Sequence, residues 1–325
     1  MQDGPAPGPN TDRRMTVAGT AIRTTALTRD FDTVRAVDGL TLEVGEGTVF
    51  GFLGPNGSGK TTTIRLLLGL LAPTSGDIEV LGHDIWHGAA DIRAASGALM
   101  EHSGLYERLS AWENLEFFAR VWRIPKGERE ARIKELLESI GLWERRGELV
   151  GTWSRGMKQK LAVLRTLLHR PRLVFLDEPT AGLDPIAAAA LRDDLLRLVA
   201  EEGLTVFLTT HNLVEAERLC SQVGVVRRGR LIAHGHPDEI RVAAAGNHLE
   251  IVGRGFSPEL LADLRLREDV NGAVVMNGRL CVDLAAGGSA PPVVTFVVSR
   301  GAEIEEVRRA AESLEDAFLN LVGGA

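Results

Sequence analysis

Gly54-Pro55-Asn56-Gly57-Ser58-Gly59-Lys60-Thr61 is the stretch on which the reading of this chain turns. It fits the pattern G-x-x-x-x-G-K-[ST]. The run before it, Thr48-Val49-Phe50-Gly51-Phe52-Leu53, is short and apolar and reads as a buried strand. The run after it, Thr62-Thr63-Ile64-Arg65-Leu66-Leu67-Leu68, reads as the first turns of a helix. Between a strand and a helix, the glycines let backbone N–H groups curl around an anion, and the helix N-terminus adds partial positive charge. The pattern therefore predicts a phosphate cradle from Gly54 to Thr62. Lys60 would reach the β- and γ-phosphates of a nucleotide, and the Thr61 hydroxyl would ligate Mg²⁺. A glycine-rich turn that matches by chance is the plainer alternative, and the flanking strand and helix argue against it.

A phosphate cradle of this kind needs a carboxylate to hold Mg²⁺. Leu173-Val174-Phe175-Leu176-Asp177 supplies one, because Asp177 leaves an apolar strand at its carboxyl end, where ligands bind in open α/β sheets. Glu178 follows and is placed to act as general base toward a water attacking the γ-phosphate. Taken alone, the pair would read as two solvated acids at a strand end. Asp184, in Ala181-Gly182-Leu183-Asp184-Pro185, fits the same site, and it also fits a helix N-cap before Pro185. His211 follows the buried strand Val206 to Thr209, again at a carboxyl end, where an imidazole could contact the γ-phosphate and hold the water.

Further out, the bulk properties set limits. The chain has 325 residues, 44% hydrophobic and 25% charged, the profile of a soluble globular protein of one or two domains. A net charge of -7 argues against a nucleic-acid-binding surface. No apolar run approaches bilayer-spanning length, and Met1 to Arg14 has no secretory hydrophobic segment. Cys220 and Cys281 read as separate thiols in a reducing compartment.

Residues 1–16 read as a disordered tail, 17–241 as the nucleotide-binding unit and 247–325 as a small accessory unit beyond an Ala- and Gly-rich linker. Thr20 to Leu27 and Gly39 to Val44 are expected as antiparallel strands. Trp112 to Trp143, Met157 to His169 and Pro185 to Ala200 are expected as helices, with strands at Arg172 to Leu176 and Thr205 to Thr209. In the last unit, Asn277-Gly278 signals a hairpin between Ala273 to Met276 and Arg279 to Leu284, after a strand at His248 to Val252. Ser257 to Leu264 and Ser313 to Leu321 are expected as helices. Pro291 to Val298 is open: its β-branched residues favour a strand, and a short buried helix fits as well. His83 and His87 with Asp84 are expected as a solvated turn rather than a metal site, and His234 and His236 as a loop.

These segments in order, with Trp153-Ser154-Arg155-Gly156-Met157 between the phosphate loop and Asp177-Glu178, resemble the ATP-binding-cassette ATPases over about residues 17–240. The signature segment usually reads Leu-Ser-Gly-Gly-Gln. Ser154 and Gly156 keep its form, while Trp153, Arg155 and Met157 look like the variant of the type-two exporter branch. The last unit resembles the small domain appended to daunorubicin-resistance-type exporter ATPases. The resemblance implies an α/β phosphate-loop fold with a mixed core sheet, an antiparallel β subdomain, a helical subdomain and a small α+β C-terminal domain. It implies ATP and Mg²⁺ as cofactors, with Ser154 and Gly156 touching the γ-phosphate bound by a second copy in a head-to-tail homodimer. By the same matching Phe31 stacks on adenine, against the plainer reading as a core aromatic. Glu101 stands where a glutamine usually touches Mg²⁺ and water. Ser103 to Ser110 and the following helix would form the groove for a separate membrane permease, with Tyr106 and Leu109 as its lining. The implied function is ATP-driven efflux at the cytoplasmic face of the membrane. A soluble cassette ATPase acting on ribosomes or DNA, or a poorly hydrolysing regulatory module, are the alternatives.

Overall fold

The computed structural model describes residues 19–244, 248–276, 278–285 and 288–309. Its centre is a six-stranded sheet in the spatial order Arg230–Gly235, Gln222–Arg227, Val49–Leu53, Thr205–Thr210, Leu173–Asp177, Ser96–Leu99. Every neighbouring pair is parallel except Gln222–Arg227 with Arg230–Gly235. The three middle strands are buried along their whole length, which is why they read as unbroken apolar runs. On one face, Phe50, Phe52, Phe175 and Phe207 pack with Ile64 and Leu67 and with the neighbouring antiparallel sheet. On the other, Leu53, Leu176 and Leu208 pack with Leu115, Leu136, Leu161 and Leu164 of the helices. Alternation along each strand assigns the two faces.

The register places the site. Leu53 lies opposite Thr210, and Asp177 lies opposite Thr209. Three strands thus end together on one edge of the sheet, and the segments that follow them leave from the same rim.

The first antiparallel sheet joins Thr20–Phe31 to Val34–Gly45 on one side and to Ser75–Val80 on the other. Both hairpin strands run beyond their expected limits. Ser75–Val80 and Ser96–Leu99 were not expected: the first buries only Ile78 and Val80, and the second is four residues long, so neither carries a clear apolar run. The expected helices are present as Ala111–Val121, Lys126–Ser139, Arg155–Leu167 and Pro185–Glu202. The first has a reciprocal capping box between Ser110 and Glu113.

A third sheet, all antiparallel, has the order Val270–Met276, Arg279–Leu284, His248–Arg254, Glu303–Arg309. It has its own core, in which Leu249, Ile251, Leu280 and Val282 meet Leu260, Leu264, Val293 and Val297. The hairpin is as expected: Met276 pairs with Arg279, and Gly278 takes φ 77°, although Asn277 lies outside the described residues. The open segment Pro291 to Val298 is a helix, Ala290–Ser299, which buries Val293 and Val297 at a four-residue spacing. The linker expected around 243–246 lies only partly within the described residues; Ala243 and Ala244 belong to the helix Pro237–Ala244. The expected helix Ser313 to Leu321 lies outside them.

Several small expectations are also resolved. Asp84 caps the helix Ile85–Ala94 and accepts from Trp86 N–H, with His87 beside it at 3.1 Å. Among the described residues no group of three or more His, Cys, Asp and Glu side chains is placed to hold a metal ion. His234 is not in a loop but in the strand Arg230–Gly235, its ring 5.7 Å from Phe50. Both cysteines are free, and burial pushes the Cys220 thiol far up, out of reach of ionisation.

Candidate active site

The phosphate loop takes the shape its glycines allow. Gly57 and Gly59 have φ 77° and 103°, a region closed to most side chains. A Cβ on Gly59 would also sit 2.3 Å from the Ala36 carbonyl oxygen, so glycine is what lets the strand Val34–Gly45 lie against the loop. The helix Lys60–Leu67 starts immediately after.

Lys60 is almost completely buried. Its ammonium donates to the carbonyls of Gly54 (2.8 Å) and Pro55 (3.2 Å) and lies 3.4 Å from a Glu178 oxygen. The other Glu178 oxygen is 2.9 Å from His211 Nδ1. Thr61 Oγ1 donates to Asp177 Oδ2 at 2.7 Å, and Thr209 Oγ1 donates to Asp177 Oδ1 at 2.6 Å. Lys60, Glu178 and His211 form one polar set and Thr61, Asp177 and Thr209 another. The two join where Glu178 N–H donates to Thr209 Oγ1 at 3.0 Å, so residues scattered over 152 positions (60 to 211) meet at the sheet rim. Thr209 was not anticipated; its only sequence signal is that it ends the strand before His211.

Lys60, Thr61, Asp177 and Glu178 open onto a cavity of about 550 Å³, whereas His211 and Thr209 do not line it. Asn56, Gly57, Gly59, Lys60, Thr61 and Thr62 form one wall, and Asp177 and Glu178 another. Glu101 lines it as expected, with Arg65 3.7 Å away, so a guanidinium partly offsets the extra carboxylate. Arg155 and Gln159, from the helix Arg155–Leu167, also line it and were not anticipated as lining residues.

Other expected residues stand outside this lining. Phe31 ends its strand half-exposed under the Arg29 guanidinium, 4.5 Å away, and pairs with Val34, which does line the cavity. Asp184 accepts from the amides of Ile186 and Ala187, the N-cap it was also expected to be. Ser154 caps its helix through Met157 N–H, and the helix begins at Arg155 rather than Met157. A Cβ on Gly156 would lie 2.9 Å from Ala187 Cβ, so this glycine lets two helix N-termini approach closely.

The match to known proteins follows this geometry. The family model described as ABC transporter matches residues 37–181. The bacitracin transport ATP-binding protein of Bacillus licheniformis is 36% identical over 312 residues, covering 94% of this chain and 98% of that protein. The chain belongs to the ABC transporter family.

A daunorubicin resistance ATP-binding protein of Streptomyces coeruleorubidus is 37% identical over 310 residues, 94% of this ABC ATPase and 97% of that protein. A solved structure described as an ATP binding subunit of an ABC transporter superposes with a TM-score of 0.61 at 32% identity, over 69% of this chain and 93% of that one. This ABC ATPase therefore binds and hydrolyses ATP, as a subunit of the exporter type. Among its described residues no helix is long and apolar enough to cross a membrane.

Proposed function

We propose that this ABC ATPase powers efflux through a separate membrane permease, at the cytoplasmic face of the membrane. ATP closes a head-to-tail homodimer and hydrolysis reopens it. The observation that carries this reading is the single chain of contacts from Lys60 through Glu178 to His211 at the rim of the parallel sheet. Glu178 is the general base: it takes a proton from the water that attacks the γ-phosphorus, and ADP leaves. His211 holds the second oxygen of that carboxylate. Lys60 offsets the phosphate charge, and backbone N–H groups of the loop from Gly54 to Thr62, all but Pro55 having one, bind the phosphate oxygens. Phe31 stacks on adenine. Ser154 and Gly156 face the γ-phosphate bound by the other copy, and Asp184 serves the nucleotide site of its own chain.

Mg²⁺ fits the donors present, since the Thr61 hydroxyl and the Asp177 carboxylate already meet at 2.7 Å and both are hard oxygens. Glu101 stands where it can add a third. Bound there, the ion would neutralise charge developing on the β- and γ-phosphates.

The permease would dock beside the helix Ala111–Val121. Buried Asn114 bonds to the backbone of Tyr106, Leu109 and Ser110, which fixes that turn, and Tyr106 is left exposed against Phe117. Next to it lies a groove of about 310 Å³ with Leu70, Val121 and Trp122 at its rim. Arg165 faces this groove, and burial lowers its pKa. No carboxylate lines the groove, so an acidic side chain on a docking helix would find a partner there. The net charge of -7 favours a protein partner over nucleic acid.

Replacing Glu178 by Gln keeps the shape and removes the base. Turnover is expected to fall by roughly 10²–10⁴-fold while ATP stays bound, trapping a dimer that chemical crosslinking detects. Equal turnover in the two proteins would remove Glu178 from this role.

A further inference from the structure

Glu178 has φ 49°, a left-handed conformation that a non-glycine residue keeps only when its surroundings impose it. The three residues that follow are each held by a different side chain from outside the loop. Gln159 Nε2 donates to the Pro179 carbonyl at 2.7 Å. Thr180 Oγ1 donates to Glu215 Oε2 at 2.7 Å. Arg155 Nη2 donates to the Ala181 carbonyl at 3.0 Å. Gly182 has φ 69°, and a Cβ there would lie 2.3 Å from Arg155 Nη1, so the guanidinium lies where only glycine leaves room.

Two of these donors are four residues apart on the helix Arg155–Leu167 and so share one face. Lys160 on the same helix, from a different face, bonds Asp194 of Pro185–Glu202 at 2.7 Å, which ties the helix to the segment beyond the loop. Glu215 works from the other side. It is 3% exposed, and the oxygen that takes Thr180 also takes Thr210 Oγ1 at 3.0 Å, one residue before His211. One buried carboxylate thus joins the segment after Glu178 to the segment before His211.

We propose that Arg155, Gln159 and Glu215 are positioning residues that hold the backbone after Glu178, so that the placement of the general base follows the orientation of the helix Arg155–Leu167. This rests on the reading of Glu178 as the general base. A side chain whose approach to the reacting water is set by three outside contacts loses rate, not nucleotide affinity, when they are cut. Arg155, which departs from the usual signature, would then serve its own chain's loop.

The test compares the full-length protein with R155A/Q159A, with Arg155→Lys, and with Glu178→Gln as control. We expect kcat of R155A/Q159A to fall by roughly ten- to a hundredfold. KM and the affinity for a fluorescent ATP analogue should stay within about twofold, and Arg155→Lys should recover most of the rate, because an ammonium can still reach a carbonyl. Unchanged kcat in R155A/Q159A with an inactive Glu178→Gln overturns the proposal and leaves the general base standing. A raised KM with kcat kept also overturns it, since Arg155 would then touch nucleotide rather than the loop. Normal turnover in Glu178→Gln removes the reading beneath it. Gln159→Leu, which keeps the helix and nearly the volume, carries the same test if R155A/Q159A unfolds.

Discussion

At the scale of single residues, polar side chains in this protein are placed by the contacts their neighbours permit. His169 shows burial as the largest of several influences on an imidazole. Its ring stacks on Trp122 with centroids 3.8 Å apart, and Nε2 lies 3.0 Å from the Ser96 carbonyl. Desolvation lowers its pKa below 6.5, outweighing the hydrogen bond to Ser96 that raises it, and the Arg132 charge lowers it further. In the unfolded chain the ring takes a proton at higher pH than in the fold. Its contribution is therefore complete above about pH 6.5 and is lost as pH falls toward the depressed folded value. Thermal melts of the native chain should lose stability below that pH, and His169→Gln should flatten the profile. A native profile already flat between neutral and mildly acidic pH would count against this. Much at this scale could be read in advance. Lys60, Thr61, Asp177 and Glu178 meet at one rim, because the phosphate loop and the acidic pair each stand at the carboxyl end of an apolar strand of the same sheet. Thr209, Gln159 and Glu215 could not be read: a hydroxyl, an amide and an acid in ordinary strand and helix positions carry no pattern until their partners arrive.

At the scale of elements, close approach decides which small residues are needed. The strand Ser96–Leu99 crosses the helix Arg155–Leu167 at Gly97, where a Cβ would lie 2.2 Å from the Thr166 backbone oxygen. Backbone cannot yield as a side-chain tip can. Gly97→Ala should therefore cost about 1–3 kcal/mol, read as a lower denaturant midpoint with an unchanged slope. A midpoint equal to that of the native chain would show that the strand shifts freely. The same crossing explains why this strand escaped a reading from sequence. Its glycine serves the helix above it, and its four residues show no period. Pro291 to Val298 was ambiguous for a related reason, because β-branched residues suit a strand locally, and only the register of Val293 and Val297 over the third sheet selects the helix.

At the scale of the whole molecule, the nucleotide cavity and the groove proposed for docking face different elements. The nucleotide cavity opens on the phosphate loop and the strand ends, whereas the apolar groove lies between the start of Ser96–Leu99 and the helix Ala111–Val121. Leu70 lines the groove, is exposed, and does not line the nucleotide cavity. Leu70→Asp should leave ATP affinity unchanged and reduce co-purification of the membrane subunit several-fold, the usual cost of placing a charge in an apolar interface. Retention of the subunit at native levels would move docking to another face. From sequence alone came the phosphate loop, its carboxylates, the strand–helix alternation and the family, because each is local, set by residue type and spacing along a few turns of chain. Only the tertiary structure decided that His211 meets Glu178, that Arg155 turns back onto its own loop, and that one buried glutamate joins two strand ends. Most of those contacts join residues 26 to 35 positions apart, and they exist only once the parallel strands are in register.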